Sequence, residues 1–367
     1  MERIKAFIKS NTVLCIAAVA ALTTAIIIPP DMEYLSYFDM KTMTCLFCTL
    51  AVICALRDIS FFYTVAQKIV RKVKNAQLCI LTLIYITFIG SMLIANDMAL
   101  LTFLPLGYFV LTSTHKEKYM AFTFIMQNIA ANLGGMLTPF GNPQNLYLYS
   151  KFNIPTLEFI QIMFPPFIIA IVLITVCCFI FVKPEPLEVE GKSPTLDKNR
   201  TLLYLVLFAF SIIIVFRVLP YWIGLIIIPA VLFFVDRHAL QQVDYPLLLT
   251  FVCFFIFAGN MARIDLVQDF FAWLLEKNTL LVSVLSCQFI SNVPSSILLS
   301  QFTENYQDLL IGVNIGGAGN LIASLASLIT FREYTKNNPG HTKGYIAEFS
   351  ALNFGFLAVL TGAMVII

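Results

Sequence analysis

The sequence contains few charged residues. Asp, Glu, Lys and Arg make up 12% of its 367 residues, whereas soluble domains carry about 25%. The net charge is only +2, and the basic residues are scattered along the chain rather than clustered with aromatic residues. We therefore expect neither a sizeable soluble domain nor a nucleic-acid partner.

Residue sets that carry catalysis or bind metals are also scarce. The three histidines, His115, His238 and His341, fall in predicted loops and assemble no zinc set or catalytic dyad. Nine cysteines lie mostly in apolar runs, so we interpret the C-x-x-C at Cys45 and Cys48 as small apolar residues and assign no disulfide. No ATP-binding loop is present. The protein is expected not to be an enzyme and to have no cofactor.

Apolar residues are abundant, at 59% of the chain with a mean hydropathy of +0.86. Short alternating segments typical of a membrane barrel do not occur, so an all-α polytopic membrane protein is predicted. The first apolar run ends at Pro29-Pro30 rather than at a small-residue cleavage site, and we interpret it as a retained span. Uninterrupted spans are predicted at 12–28, 40–56, 156–182, 201–216, 218–235, 245–260 and 345–367.

Two apolar regions, 78–152 and 279–331, are interrupted by Asn, Gly, Pro and Ser. Each is predicted to hold a re-entrant hairpin followed by one broken helix, which gives about nine transmembrane helices and two hairpins. With a cytoplasmic N-terminus, this arrangement leaves few of the 23 Lys and Arg residues outside, namely Lys41, Lys151, Arg217, Arg263 and Lys277. The positive-inside rule favours this topology.

The two interrupted regions resemble each other at a constant offset of 182 residues. This offset aligns Asn132 with Asn314, Gly134 with Gly316, Gly135 with Gly317, Thr138 with Asn320, and Asn145 with Ser327. Upstream, Asn96 pairs with Asn292. We therefore predict a first repeat at 1–183, a cytoplasmic linker at 184–200 and a second repeat at 201–367.

An amphipathic segment precedes each hairpin. The segment 59–73 is basic and is predicted inside, whereas 263–277 carries acidic residues and is predicted outside. The two repeats are therefore expected to be inverted. Secondary transporters with inverted repeats place substrate and coupling ions at the midplane, where broken helices expose backbone groups.

The predicted hairpin tips carry the polar residues of highest interest. Asp97 is an intramembrane acid, which typically marks an ion site or proton relay, and the alternative is that it caps a helix. Neutral oxygens and amides are suited to an anion or to Na⁺. Candidate substrate-binding residues are Asn96, Asn292, Ser291, Thr138, Asn142, Asn145, Asn320 and Ser324. Candidate ion-coupling residues are Asp97, Asn96, Asn132, Gly135, Asn292, Asn314 and Gly317, with a Na⁺ site expected among Asn96, Asn132, Asn292 and Asn314.

Four motifs in this order resemble the ion transporter superfamily, which includes arsenite permeases, D-type sodium/proton antiporters, citrate transporters and divalent anion/sodium symporters. They are "NDMALLTFLPL" (96–106), "ANLGGMLTPFGNPQNLYLY" (131–149), "SNVPSSILL" (291–299) and "GVNIGGAGNLIASLASLI" (312–329). In the divalent anion symporters the tips carry Ser-Asn-Thr. Here the Asn occurs at both tips and the Ser at one, neither Thr is present, and the Asn-Asp tip is more similar to the arsenite permease and antiporter branches.

The resemblance implies a scaffold domain, a transport domain and elevator-type alternating access in a homodimer. The expected function is H⁺- or Na⁺-coupled transport of a small anion, a di- or tricarboxylate or an inorganic oxyanion, across the inner (cytoplasmic) membrane of the cell. Na⁺/H⁺ antiport without an organic substrate is the alternative in the same class. An ion channel is the alternative of another class, although rings of like residues that would line a pore are not seen.

Overall fold

The computed structural model describes residues 11–187 and 195–367, and the regular secondary structure in these two stretches is helical. Lys192, which the sequence places in the linker, lies outside the described residues. Helices of the first half are α1 (Thr12–Ile27), α2 (Met40–Asp58), α3 (Phe61–Val70), α4 (Ala76–Ile94), α5 (Asn96–Ser113), α6 (Met120–Gly134), α7 (Pro143–Lys151) and α8 (Thr156–Phe181). Helices of the second half are α9 (Lys198–Val215), α10 (Tyr221–Val235), α11 (Arg237–Gln241), α12 (Tyr245–Ala262), α13 (Asp265–Ile290), α14 (Asn292–Leu299), α15 (Tyr306–Gly316), α16 (Leu325–Asn337) and α17 (Thr342–Ile366).

Long apolar helices dominate the molecule. In the described part of the chain, 7 helical segments are long and apolar enough to cross a membrane, and α1 and α10 are shorter apolar helices. Two of the 7, α4 and α13, contain first arms of the predicted hairpins. The remaining five, with α1 and α10, correspond to the predicted uninterrupted spans. The protein is a multi-pass, all-α membrane protein, as the sequence predicts.

Each predicted hairpin consists of two helices joined by a single residue. Ala95 joins α4 to α5 and Ser291 joins α13 to α14, and in each hairpin the two arms pack against each other. The joining residues have φ of 65° and ψ of 152° at Ala95, and φ of 73° and ψ of 161° at Ser291. This backbone region is populated almost entirely by glycine. The same unusual turn therefore occurs at matched positions of both repeats.

The two broken helices also form as predicted. In the first half, α6 ends at Gly134 and the chain is irregular until α7 begins at Pro143, whose ring suits the first turn of a helix. In the second half, α15 ends at Gly316 and α16 begins at Leu325. Both terminal glycines lie against the first arm of their own hairpin, because an added Cβ would lie 2.6 Å from the Ser91 hydroxyl at Gly134 and 2.8 Å from Cys287 at Gly316.

The two halves make reciprocal contacts. Helix α1 packs against α12, and α10 packs against α2. Likewise, the returning arm α14 packs against α7 of the first half, and the returning arm α5 packs against α16 of the second half. Exchange of equivalent elements in this manner is the pattern produced by a two-fold relation. The inverted orientation of the repeats and their exact boundaries stay predictions.

The two predicted amphipathic segments are helical. The first corresponds to α3, and the second is the beginning of α13, which bends at Asn278, where φ is −167° and ψ is 94°. The side chain of Asn278 accepts a hydrogen bond of 2.8 Å from the amide of Leu281, so it restarts the helix as the first arm of the hairpin.

The beginning of the linker is fixed to the first hairpin. The Ala76 amide donates to the Glu185 carbonyl (2.8 Å), and the Leu187 amide donates to the Lys74 carbonyl (3.1 Å). The carboxylate of Glu185 forms ion pairs with Lys116 (2.6 Å) and Lys118 (2.5 Å), which follow α5, the second arm of that hairpin. We call residues 182–187 the strap, because they join the beginning of α4 to the segment that follows α5.

Candidate functional site

Both hairpin tips line one cavity of about 260 Å³, which we call the tip cavity. Asn96 and Asp97 contribute from the first tip, and Ser291, Asn292 and Val293 contribute from the second. The remaining lining residues come mainly from α1, α12, α13 and the broken helices, and they are Val13, Ile16, Ala20, Pro143, Gln144, Leu247, Thr250, Phe254, Phe257, Phe289, Ile290, Pro294, Ile322, Leu325 and Leu328. The structure therefore brings the two tips together, as the sequence suggests.

Four helices begin at the tip cavity. Helix α5 begins at Asn96, α14 at Asn292, α7 at Pro143 and α16 at Leu325, and each of these residues lines the cavity. The first amides of a helix have no partner within it, and the helix dipole places partial positive charge at that end. None of the described residues that line the cavity is Lys or Arg, so an anion there would have to be attracted by helix N-termini and side-chain amides.

Among the described residues that line the tip cavity, Asp97 is the only ionisable one. It lies in the first turn of α5, and its Oδ1 is buried with no hydrogen-bond partner in the described structure. Its carboxylate does not cap the helix, because the N-cap residue of α5 is Ala95 and no side chain donates or accepts a capping hydrogen bond there. A proton or a cation at Asp97 would neutralise the charge of this buried carboxylate.

Asn96 is held by the broken helix of its own half. It is 4% exposed, and its Nδ2 donates to Oδ1 of Asn132 (3.1 Å). Asn132 in turn donates to the Asn128 carbonyl (3.2 Å), and its own carbonyl accepts from Asn142 (3.2 Å). These buried hydrogen bonds of asparagine side chains fix the position of the first tip against the break between α6 and α7.

The Asn of the second tip is held in a different way. The backbone amide of Asn292 donates to the Ala323 carbonyl (2.9 Å), and its side-chain Oδ1 accepts from the backbone amide of Val293 (2.9 Å). The absence of a side chain at Gly317 allows this approach, because an added Cβ would lie 2.9 Å from Asn292 Nδ2. Ser291 donates to the same Ala323 carbonyl (3.3 Å). Backbone groups of the α15–α16 break therefore position the second tip.

Buried amides join the two broken helices across the repeats. Asn314 Nδ2 donates to Asn145 Oδ1 (2.6 Å), and Asn314 Oδ1 accepts from Asn142 (3.3 Å) and Gln144 (3.4 Å). A further bond runs from Asn128 to Ser327 (3.2 Å). The sequence analysis missed Asn128, Gln144 and Ser327 as contributors, although Gln144 lies within the same "GNPQN" motif as two predicted site residues.

Several predicted site residues lie behind the cavity rather than on its wall. Thr138 donates to the Met92 carbonyl (2.7 Å), Asn145 donates to the Gly135 carbonyl (3.1 Å), and Asn320 donates to the Gln288 carbonyl (2.8 Å). Ser324 accepts from the Ser327 amide (3.2 Å) at the start of α16. Asn132, Asn142, Gly135, Asn314 and Gly317 are likewise absent from the tip-cavity wall. Their direct contact with a solute stays a prediction.

Unpaired oxygens near the tips are suited to a hard cation. In the described structure, Asn142 Oδ1 and Gln144 Oε1 are buried acceptors without a donor, as is Asp97 Oδ1. Carboxylate and amide oxygens are the ligands that hard cations take in proteins. Within residues 11–187 and 195–367, no group of three or more His, Cys, Asp or Glu residues could hold a metal ion. Asp97 and Gln144 both line the tip cavity, and whether their oxygens hold Na⁺ or a proton stays a prediction.

The sequence is similar to known proteins over most of its length. The family model described as "Citrate transporter" matches residues 1–308. A protein of Methanocaldococcus jannaschii described as an uncharacterized transporter is 34% identical over 302 residues, which are 82% of this chain and 83% of that protein. The inner membrane protein YbiR of Escherichia coli K12 is 29% identical over 284 residues, 74% of each chain.

Proposed function

The chain belongs to the citrate transporter family and is a secondary transporter, and from this premise we propose that it carries a small anion by alternating access, coupled to H⁺ or Na⁺. We place it in the inner membrane with a cytoplasmic N-terminus. The proposed solute is a di- or tricarboxylate or an inorganic oxyanion, held between the two hairpin tips.

The observation that carries the proposal is the convergence of both tips and four helix N-termini on one cavity. Partial positive charge at helix N-termini favours an anion without any basic side chain. The volume, about 260 Å³, is below the roughly 300–1,000 Å³ of pockets for drug-sized ligands, which supports a small solute. Broken helices meeting at such a cavity are typical of secondary transporters.

Asp97 supports the coupling part of the proposal. It is an acid without a hydrogen-bond partner for Oδ1, and it faces a cavity that otherwise attracts anions. A proton on this carboxylate, or Na⁺ between it and amide oxygens, would remove its repulsion of an anionic solute. Binding of the coupling ion and the anion would then be mutually favourable, which is the thermodynamic requirement for coupling. Elevator movement within a homodimer is the form of alternating access that we propose.

Na⁺/H⁺ antiport without an organic solute is the second candidate, and Asp97 is the observation that favours it. Reconstitution of the full chain in proteoliposomes separates the readings. Labelled citrate should enter when a Na⁺ or H⁺ gradient is imposed and should exchange with internal unlabelled citrate in counterflow. Na⁺-driven pH changes without anion uptake would establish the antiporter instead. A sustained conductance without counterflow would establish a channel.

A further inference from the structure

A second cavity of about 530 Å³, which we call the cationic basin, lies at the far end of α7 from the tip cavity. Helix α7 begins at the tip cavity with Pro143 and ends in the basin with Lys151. At 1.5 Å per residue these positions are about 12 Å apart along the helix axis. The two cavities share no lining residue, so the basin is a separate space built on an element that also forms the tip cavity.

Five charged side chains line the basin, and its two acids are already engaged. Asp39 accepts hydrogen bonds from the amide (2.9 Å) and the hydroxyl (2.5 Å) of Thr42. Glu33 forms an ion pair with Arg263 (3.4 Å). Arg263 is further neutralised by Asp31, at 2.7 Å. Glu33 is therefore committed to Arg263, whereas Asp39 keeps its charge and acts on both lysines of the basin without forming an ion pair with either.

Lys41 and Lys151 are the two basic residues of the basin that have no ion pair within the described part of the chain. Neither ammonium forms an ion pair with any residue that the structure describes. At longer range, Asp39 interacts electrostatically with both lysines, Arg217 with Lys41, and Glu304 with Lys151. Two unpaired lysines at one concave surface attract small anions and raise their local concentration.

The floor of the basin is polar, and it is formed by α7 and by residues that directly follow α14, the returning arm of the second hairpin. The Tyr147 hydroxyl of α7 lies 2.9 Å from the hydroxyl of Ser300, directly after α14, and accepts from Gln301 (3.4 Å). The ring of Tyr147 packs on Phe255, with centroids 5.6 Å apart. An anion in the basin would thus lie against the Tyr147–Phe255 contact, on the outer side of α7 and the second hairpin.

We propose that the cationic basin is a second anion site, in which Lys41 and Lys151 hold the carboxylate or oxyanion substrate before it enters the tip cavity. This inference rests on the proposed anion transport. The two lysines of the basin are among the five basic residues that the predicted topology leaves outside, so the site would serve entry from the external face. A lipid headgroup phosphate has the same chemistry as a soluble oxyanion, and the test must separate the two.

Protection of lysines from an amine reagent tests the site directly. Full-length protein in right-side-out phosphatidylcholine vesicles is treated with a membrane-impermeant acetylating reagent, with millimolar citrate or with choline chloride at equal ionic strength, and modification is read by mass spectrometry. Citrate should slow modification of Lys41 and Lys151 several-fold. Lys277 is the internal control, because it is exposed, is predicted on the same face and lies outside the basin. Equal protection of all three lysines, or of none, would overturn the proposal.

Two further arms complete the test. Protection that occurs in phosphatidylglycerol vesicles without citrate, and does not increase with citrate, would assign the basin to a lipid headgroup and overturn substrate holding.

For transport, the double variant Lys41→Gln/Lys151→Gln should raise the KM for citrate entering from outside about tenfold, with Lys277→Gln unchanged. If the wild type transports citrate and the double variant matches Lys277→Gln, the basin proposal fails alone. If the wild type neither binds nor transports citrate or phosphate, the proposed function fails, and the basin proposal fails with it.

Discussion

Asp97 combines burial, an acidic group and a position at the wall of the tip cavity. Replacing it with the neutral isostere in Asp97→Asn should abolish gradient-driven uptake, since no proton or cation could then be exchanged at that carboxylate. The variant should remain folded, because the substitution removes a buried charge that has no ion pair in the described structure. Uptake in proteoliposomes and thermal unfolding in detergent measure the two effects.

The conservative variant Asp97→Glu is the control for this prediction, because it keeps the carboxylate and should retain measurable coupling. Near-normal uptake by Asp97→Asn with an unchanged pH profile would remove Asp97 from the mechanism.

The tip asparagines can be tested against a buried asparagine elsewhere. Asn96→Ala and Asn292→Ala should each weaken citrate binding roughly tenfold, a loss of about 1.4 kcal/mol, as expected when a polar partner is removed from a buried site. Asn353→Ala is the matched control, since Asn353 is fully buried in α17 and donates to the Phe349 carbonyl (2.9 Å) away from the tip cavity. It should lower thermal stability without changing affinity. Isothermal titration in which both tip variants bind like the wild type would place the site elsewhere.

Residue types at the tips were predictable, but their bonding partners were not. An acid and amides inside apolar runs mark a polar site without knowledge of the fold, and this is how Asn96, Asp97 and Asn292 were found. Gln144 and Thr250 line the same cavity only because tertiary packing brings them there. The chain alone also gave no sign that Lys41 and Lys151, which are 110 positions apart, border one basin.

At the scale of elements, the hairpin turns carry a local cost in both halves. Ala95 and Ser291 adopt a glycine-favoured backbone conformation, which costs a non-glycine residue on the order of 1–3 kcal/mol. Ala95→Gly should therefore preserve or raise the melting temperature, although glycine usually destabilises. Ala99→Gly in the body of α5 is the control and should lower stability by about 1 kcal/mol. Equal losses for the two variants, measured by thermal unfolding in detergent, would show that the turn at Ala95 carries no strain.

The strap gives a pH prediction. Hydrogen bonds from Lys116 and then Lys118 lower the pKa of Glu185 from its ordinary 4.5 to about 2. A lowered folded-state pKa means that the stabilising contribution is complete above about pH 4.5 and is lost only as the pH falls towards 2. Amide exchange at Ala76 and Leu187, corrected for intrinsic rates, should therefore be constant between pH 5 and 8. Glu185→Gln should accelerate it across this range.

Glu117→Gln is the matched control for the strap, because Glu117 lies beside the same lysines without an ion pair in the described structure. Release of the strap between pH 5 and 7 in the wild type would contradict the assigned role of Glu185. The sequence suggested only a connector at 184–200. The fixed part of that segment went unrecognised because its partners are backbone groups of Lys74 and Ala76.

The elements themselves were largely predictable. Span limits follow from hydropathy, since only helices satisfy their backbone groups in lipid, and interruptions by Gly, Pro and Asn located both breaks. The alignment of the two interrupted regions at an offset of 182 residues also paired Gly134 with Gly316, and each of these glycines lies in close contact with the first arm of its hairpin. The positive φ at Ala95 was not predictable, because alanine is not a residue that signals such a turn.

On the scale of the whole molecule, topology is the next quantity to measure. In a background without the natural cysteines, single cysteines replacing Lys192 and Lys277 should be labelled from the inside and the outside respectively, because the positive-inside rule and the inverted repeats require it. A membrane-impermeant maleimide applied to intact and to permeabilised cells distinguishes the faces. Labelling of both positions from one face would contradict the inverted arrangement.

Four side-chain hydrogen bonds join the broken helices of the two halves, and they restrict how the molecule can change shape. If the two halves rocked independently, the bonds of Asn314 with Asn145, Asn142 and Gln144 would be broken, together with that of Asn128 with Ser327. Leaving a buried polar group without its hydrogen-bond partner costs about 1–3 kcal/mol. Breaking all of these hydrogen bonds in every transport cycle would therefore impose a large free-energy barrier. The central unit is therefore expected to travel as one piece, with sliding confined to its apolar outer surface.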